Sequence, residues 1–508
     1  MGREGNYQRM VKSVIWMWMS VQSLASAPAS SKPHIIFLLA DDLGWYDVSW
    51  HNPKAITPNL ESLANEGIIL EQSYVQPVCT PTRSALMTGR YPFTIGRQGP
   101  PLMSSAPTGL LLNATILPES LKKAGYSTHA VGKWHLGFCH WDYTPTHRGF
   151  DTFYGLYSGM GDHYNRDSYA SITETGLHGY DFRNNDEPDF RFNGTYDTYV
   201  YADFVENLLF SRDPAEPMFL YMAFQSIHSP MQVPDVYRDP FRYIGNESRE
   251  ISLGMAYAMD DAIGRVVTAL KATGHYENSV IVFSSDNGAF ANNGNNWPLR
   301  GGKSTLWEGG TRAPGFIHSP LLTKTGFKSQ TLFHVTDWYA TLAGLAGGTV
   351  PEGTDGFDQW EALTTGTESP RTSFVYNLNT DNKNATELNG AFRKGEYKLL
   401  VGNIKGGQWI EPPEGFDEGA PRSHGAASGI TGVDSPVQLY NVIDSTPTED
   451  PEERHDVADS HPEIVAELLE DLEREFQRMV PADNPPQDPS SDPKYFGGVW
   501  SPGWCDPH

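Results

Sequence analysis

The sequence predicts an α/β protein. A large mixed, mostly parallel sheet sandwiched by helices occupies residues 33–370, and a smaller C-terminal α+β unit with a short antiparallel sheet and a helix occupies 371–508. Three observations carry this reading. Apolar, strand-like runs alternate with helical patterns, which implies parallel strands covered on both faces. Each run gives way at once to polar or small residues. After about residue 370 glycine, proline and acidic residues increase and the strand-like pieces shorten.

In chain order, the run 34–40 ("HIIFLLA") leads into Asp41-Asp42, and 67–75 ("GIILEQSYV") leads into Cys79. The run 127–131 leads into Gly132-Lys133-Trp134-His135, 218–225 ("MFLYMAFQ") leads to His228, and 279–285 ("SVIVFSS") leads to Asp286-Asn287-Gly288. Helical patterns lie between them at 59–66, 118–124, 199–210 and 254–273. In such sheets ligands bind beyond the carboxyl ends of the strands. All five runs deliver an ionisable or metal-binding residue to that end, so one site assembled from distant parts of the chain is expected. In the C-terminal unit, 391–401 and 437–442 read as strand-like pieces. Ile464, Leu468, Leu472 and Phe476 recur every four residues and mark a helix. The proline- and aspartate-rich stretch 481–508 is expected to run over the surface.

The 508 residues suit a large domain plus a smaller one. Lys and Arg total 37 against 62 Asp and Glu, and the net charge of −25 argues against a nucleic-acid partner or an anionic membrane surface. The N-terminus reads as a signal peptide over 1–29: Arg3, Arg9 and Lys12 precede a short apolar run, and the small residues "ASAPAS" follow. No later apolar stretch is long enough for a membrane span. Four sequons, at Asn113, Asn193, Asn246 and Asn384, agree with passage through the secretory pathway to a lysosomal or extracellular destination. Of the three cysteines, Cys139 and Cys505 are left as a candidate pair if Cys79 has a chemical task; two free thiols are the alternative.

Asp41, Asp42, Asp286 and Asn287 are all oxygen donors, a set that suits Ca²⁺ or Mg²⁺ better than zinc; helix caps and turns are the plainer reading. Lys133 and His135, two apart, share one face of an extended segment and can reach one anion. His228 alone reads as a core or surface histidine, and Lys303 as part of a flexible glycine-rich turn. Cys79 precedes a helix-compatible stretch, "TRSALMTGR", so it meets the positive end of a helix dipole, with Arg83 one turn in.

"CTPTRSALMTGR" resembles the C-x-P-x-R segment of the type I sulfatases. "ADDLGW", "GKWHLG", "SDNG" and "NWPLRGGKSTLWEGGTRAPG" resemble the same family, in the same order, and the last is similar to the arylsulfatase B group, which includes arylsulfatases I and J. The resemblance implies an alkaline-phosphatase-like fold. It also implies that a formylglycine-generating enzyme oxidises Cys79 to formylglycine, whose hydrate attacks sulfur and then expels sulfate as the carbonyl reforms. Asp41, Asp42, Asp286, Asn287 and the modified residue 79 would hold one Ca²⁺. Arg83, Lys133, His228 and Lys303 would clamp the sulfate, and His135, His228 and Lys303 stay open as the general acid or base. The implied substrate is a sulfated sugar, the 4-sulfate of N-acetylgalactosamine in the glycosaminoglycans chondroitin and dermatan sulfate. A phosphatase or phosphodiesterase of the alkaline-phosphatase superfamily, or a non-catalytic binder of sulfated glycans, are the alternatives. Most disulfide cysteines of the vertebrate arylsulfatase B group are missing here; Ser491, for one, stands where a cysteine is expected.

Overall fold

A computed structural model describes residues 32–170, 176–291, 293–378, 388–402, 404, 406–415, 436–443 and 450–507. The leader expected over 1–29 and the sequon at Asn384 lie outside these residues. Ten strands form the main sheet: β1 (His34–Ala40), β2 (Ile68–Leu70), β3 (Ser127–Lys133), β4 (Thr152–Leu156), β5 (Arg183–Asn184), β6 (Glu187–Pro188), β7 (Met218–Ala223), β8 (Ser279–Ser285), β9 (Gly315–His318) and β10 (Phe327–Ser329). Their order across the sheet is β10-β2-β9-β8-β1-β7-β3-β4-β5-β6. The central strands β8, β1, β7, β3 and β4 are parallel, and β9 and β5 flank them antiparallel.

Period-two alternation divides each central strand between two cores. Ile35, Phe37 and Leu39 of β1 face one core with Phe219 and Tyr221 of β7 and Val280 and Val282 of β8. Ile36, Leu38, Leu220, Met222, Ile281 and Phe283 face the other. The first core is covered by α2 (Cys79–Thr88), α3 (Leu117–Lys123) and α6 (Asp337–Leu345), through Leu86, Met87, Leu121, Trp338 and Leu342. The second is covered by α1 (Pro58–Glu66), α4 (Asp197–Phe210) and α5 (Glu247–Ala272), through Leu60, Leu63, Val205, Leu209, Met259, Ile263 and Leu270. Helix α5 begins before residue 254, where periodicity placed it, because the Asn246 side chain accepts from the Arg249 N–H and caps an earlier turn.

Strands β11 (Ser373–Leu378), β12 (Gly390–Lys394), β13 (Tyr397–Val401) and β14 (Val437–Asn441) form an antiparallel sheet. It carries α7 (Pro462–Phe476), whose Leu468 and Leu472 share a core with Tyr74, Phe93 and Trp307 of the main unit. The piece expected as one strand over 391–401 is a hairpin that turns at Gly395, where φ is +56°. The run 67–75 is also divided. Glu71 pairs with Lys328 and Gln72 with Gln330, the chain turns there, and Ser73–Tyr74 pairs with Phe333–His334 outside the main sheet.

The tail departs from a surface course. Trp500 is fully buried in the first core against Phe138, and Ser491 is buried too. Cys505 is bonded to Cys139, with their Cα atoms 5.5 Å apart. Asn113, Asn193 and Asn246 are exposed. Among the described residues no helix is long and apolar enough to cross a membrane.

Candidate active site

Four neighbouring parallel strands deliver their next residues to one place. β8 gives Asp286 and Asn287, β1 gives Asp41 and Asp42, β7 leads to His228, and β3 ends on Lys133 with His135 two residues on. Cys79 arrives separately, as the first residue of α2. A carboxylate oxygen from each of Asp41 and Asp42, Cys79 Sγ and a ring nitrogen of His228 all lie within 4.8 Å of one another.

The hydrogen bonds define the arrangement. Lys133 Nζ donates to Asp41 Oδ2 at 2.6 Å, and Cys79 Sγ lies 3.7 Å from Asp41 Oδ1. Asp42, held at φ +60°, faces Lys303 Nζ at 2.6 Å and Asn287 Nδ2 at 2.7 Å through Oδ1, and His228 Nε2 at 3.9 Å through Oδ2. Asp286 accepts the Asp42 N–H at 3.2 Å. Arg83 donates to Asp286 Oδ2 from Nε at 3.0 Å and from Nη2 at 2.8 Å, and its Nη1 donates to the Lys133 carbonyl at 3.0 Å. The expectation of Arg83 as a sulfate clamp therefore changes: the guanidinium is spent on Asp286 and on backbone, and it fixes that carboxylate from behind.

Lys303 does not sit on a loose turn. Its N–H donates to the Ala289 carbonyl at 3.0 Å, and the next N–H, of Ser304, to Pro77 at 2.7 Å. The Asp286-Asn287-Gly288 turn needs its glycine, because a Cβ at Gly288 would stand 1.8 Å from the Gly309 carbonyl oxygen of the same glycine-rich stretch. His135 differs from the extended geometry expected of it: β3 ends at Lys133, and His135 takes φ +59°. Its Nε2 donates to the Leu102 carbonyl at 2.9 Å, which leaves Nδ1 with a lone pair, buried and unpartnered.

Burial dominates the protonation states. It pushes the Cys79 thiol up to about 12 and raises Asp286, with Asp41 adding to the effect. Burial would also raise Asp42, but Lys303 and His228 reverse this and hold its carboxyl well below the usual range. Burial and then Lys303 lower the His228 ring to about 3, and burial with Lys133 and Arg83 depresses His135. A cation fits this cluster. Asp41, Asp42 and Asp286 are fully buried together, and Asn287 Oδ1 is a buried oxygen with no hydrogen-bond partner. Hard oxygen donors crowded in this way match a hard divalent ion. One histidine, His228, joins them through the fold, which residue spacing could not show.

A sulfatase family model matches residues 33–348. The protein belongs to the sulfatase family. It is similar to mouse arylsulfatase J, 42% identical over an alignment that covers 94% of this chain and 81% of that one. It is similar also to mouse N-acetylgalactosamine-6-sulfatase, 31% identical over 71% of this chain and 72% of that one. Among solved structures it resembles Ps i-CgsB in complex with k-i-k-neocarrahexaose, at 28% identity and TM-score 0.74, covering 90% of this chain and 95% of the other. The phosphonate monoester hydrolase SpPMH from Silicibacter pomeroyi shares the fold at TM-score 0.57. This sulfatase is thus a sulfuric ester hydrolase on an alkaline-phosphatase-like sheet.

Proposed function

We propose that this sulfatase hydrolyses a sulfate ester on N-acetylgalactosamine, the 4-sulfate of chondroitin or dermatan sulfate. The observation that carries the site reading is the placement of residue 79 at a helix N-terminus, 3.7 Å from Asp41, among buried carboxylates and ammonium groups. Conversion of Cys79 to formylglycine, by a formylglycine-generating enzyme, supplies an aldehyde hydrate as nucleophile there. Asp41, Asp42, Asp286 and Asn287 would hold calcium, which would supply positive charge to offset that of the sulfate.

The chain's own residues do the rest. Lys133 and Lys303, beside Asp41 and Asp42, hold the sulfate oxygens. Arg83 keeps Asp286 oriented. His135, neutral and with Nδ1 free, takes the proton that lets sulfate leave, and Lys303 or His228, the latter only in its imidazolium form, protonates the departing sugar oxygen. Of the two relatives, arylsulfatase J names no sugar, and N-acetylgalactosamine-6-sulfatase supports N-acetylgalactosamine. The second name favours the 6-sulfate as a second reading. The three exposed sequons support a route through the secretory pathway to a lysosomal or extracellular location, which a mobility shift on glycosidase treatment checks.

The test is a panel of defined sulfated disaccharides, run beside matched aryl sulfate and aryl phosphate, with mass spectrometry of the peptide carrying residue 79. Release of sulfate from the 4-sulfated galactosamine unit is expected. Turnover of aryl sulfate with none of either galactosamine sulfate would refute the sugar assignment. An unconverted thiol in active enzyme would refute the nucleophile.

A further inference from the structure

The two candidate proton-transfer histidines come from different strands, yet one short segment touches both. Residues 158–163, "SGMGDH", follow β4 directly. The segment starts fixed: the buried Asp181 accepts the N–H groups of Tyr157 at 3.0 Å and Ser158 at 2.8 Å, and also the Ser158 hydroxyl, which lies 2.8 Å from Ser168 Oγ. Gly159 then passes beneath the His135 ring. A Cβ on Gly159 would stand 2.4 Å from His135 Nε2 and 2.5 Å from Cε1, although its φ is not in the left-handed region. Glycine is required here for space rather than for backbone conformation. The ring cannot yield without disturbing the Nε2 bond to the Leu102 carbonyl.

The far end of the segment holds the His228 turn. The Gly161 carbonyl accepts from Gln225 Nε2 at 2.6 Å, Asp162 Oδ2 accepts from Gln232 Nε2 at 2.7 Å, and Gln232 Oε1 accepts the His163 N–H at 2.9 Å. His163 is fully buried. Its Nε2 lies 3.2 Å from the His228 carbonyl oxygen and its Nδ1 3.0 Å from an Asp197 carboxylate oxygen at the start of α4. Carbonyl and carboxylate oxygens both accept, so both ring nitrogens donate in the imidazolium form, which burial opposes but the Asp197 carboxylate favours more strongly, and the ring braces the His228 backbone against a fixed helix.

We propose that residues 158–163 are a positioning element that sets the two histidines relative to one another, with Gly159 as the seat of the His135 ring and His163 as the brace of His228. This rests on the proton-transfer roles proposed above. Neither residue touches the reacting atoms. Their effect is on geometry, and a displacement near 1 Å can lower a rate by roughly 100-fold.

The test is a pair of double-mutant cycles on the mature enzyme with an aryl sulfate. Gly159→Ala is expected to lower kcat by about 10- to 100-fold with KM within about twofold of wild type. In a His135→Ala background the same change is expected to alter kcat by less than about twofold. His163→Gln is expected to behave likewise against His228→Ala, and this second cycle decides if Gly159→Ala does not fold. Crossed pairings, such as Gly159→Ala with His228→Ala, are expected to be more nearly additive. Wild-type kcat in Gly159→Ala and His163→Gln, or full additivity in both matched cycles, would overturn the positioning role while leaving the histidine roles intact. Full activity in both single histidine variants would overturn those roles and the inference with them.

Discussion

The Arg83–Asp286 pair makes the sharpest demand on the site. Both side chains are wholly buried, and the guanidinium gives two hydrogen bonds to one carboxylate oxygen. Arg83→Met keeps a long apolar stem but removes the charge, which leaves Asp286 buried beside Asp41 and Asp42. Breaking a buried pair from one side costs about 3–5 kcal/mol. At roughly 2.1 cal/mol/K per residue, the unfolding entropy of a chain of 508 residues is about 1 kcal/mol per kelvin, so the melting temperature should fall by about 3–5 °C. Adding Asp286→Asn removes the stranded charge, and the double variant should recover most of the loss in stability. It should not recover turnover, because one of the proposed calcium donors has become neutral. Differential scanning calorimetry and aryl sulfate hydrolysis measure the two quantities separately. A single variant that melts within 1 °C of wild type, or a double variant that regains full activity, would refute the view that Arg83 acts by holding an essential carboxylate in place.

Three further outcomes are expected. Asn287→Ala should raise the calcium concentration for half-maximal activity after chelation by about tenfold or more, read by titrating Ca²⁺ back into EDTA-treated enzyme. Lys398 Nζ is shared by two buried carboxylates, at 3.0 Å from Glu308 and 2.7 Å from Glu453, and burial with the neighbouring Glu308 pushes Glu453 up to about 7. The folded state thus keeps a proton that the unfolded state releases above about 4.5. This group's contribution to stability falls as pH rises through that window, so Glu453→Gln should gain melting temperature over wild type between pH 5 and pH 7.5; a constant difference would contradict the sharing. Cys505→Ser should lower stability by about 2–5 kcal/mol in non-reducing buffer, and the difference from wild type should vanish under reductant.

Four of the five central parallel strands, β1, β3, β7 and β8, were legible because they carry no conflicting signal. The runs at 34–40 and 279–285 coincide with β1 and β8, since unbroken apolar residues between polar ends leave one solution. Glu71 and Gln72 divided a run that composition alone joined. The parallel strand β4, the antiparallel β9 and the short β5, β6 and β10 were missed because "TFYGL", "GFIH", "RN", "EP" and "FKS" are too brief to show a period. Within the site, the proposed metal and nucleophile positions follow from strand ends and motifs. The orientation of Arg83 toward Asp286, the left-handed turn at His135 and the approach of His228 to Asp42 depend on contacts between residues far apart in the chain. Gly159 and His163 carried no signal at all, because a glycine under a ring and a histidine between two acceptors look ordinary in one dimension.

Cys79 sits where four strand ends and the start of α2 meet, and only 1% of the residue meets solvent. No second protein can grip a five-residue motif packed in this way. Any enzyme that alters this sulfur must meet the polypeptide while it is still open, during or just after synthesis. On the role proposed for residue 79, the fraction of active copies would be fixed before each one closes, by a race between collapse of the nascent chain and a single oxidation.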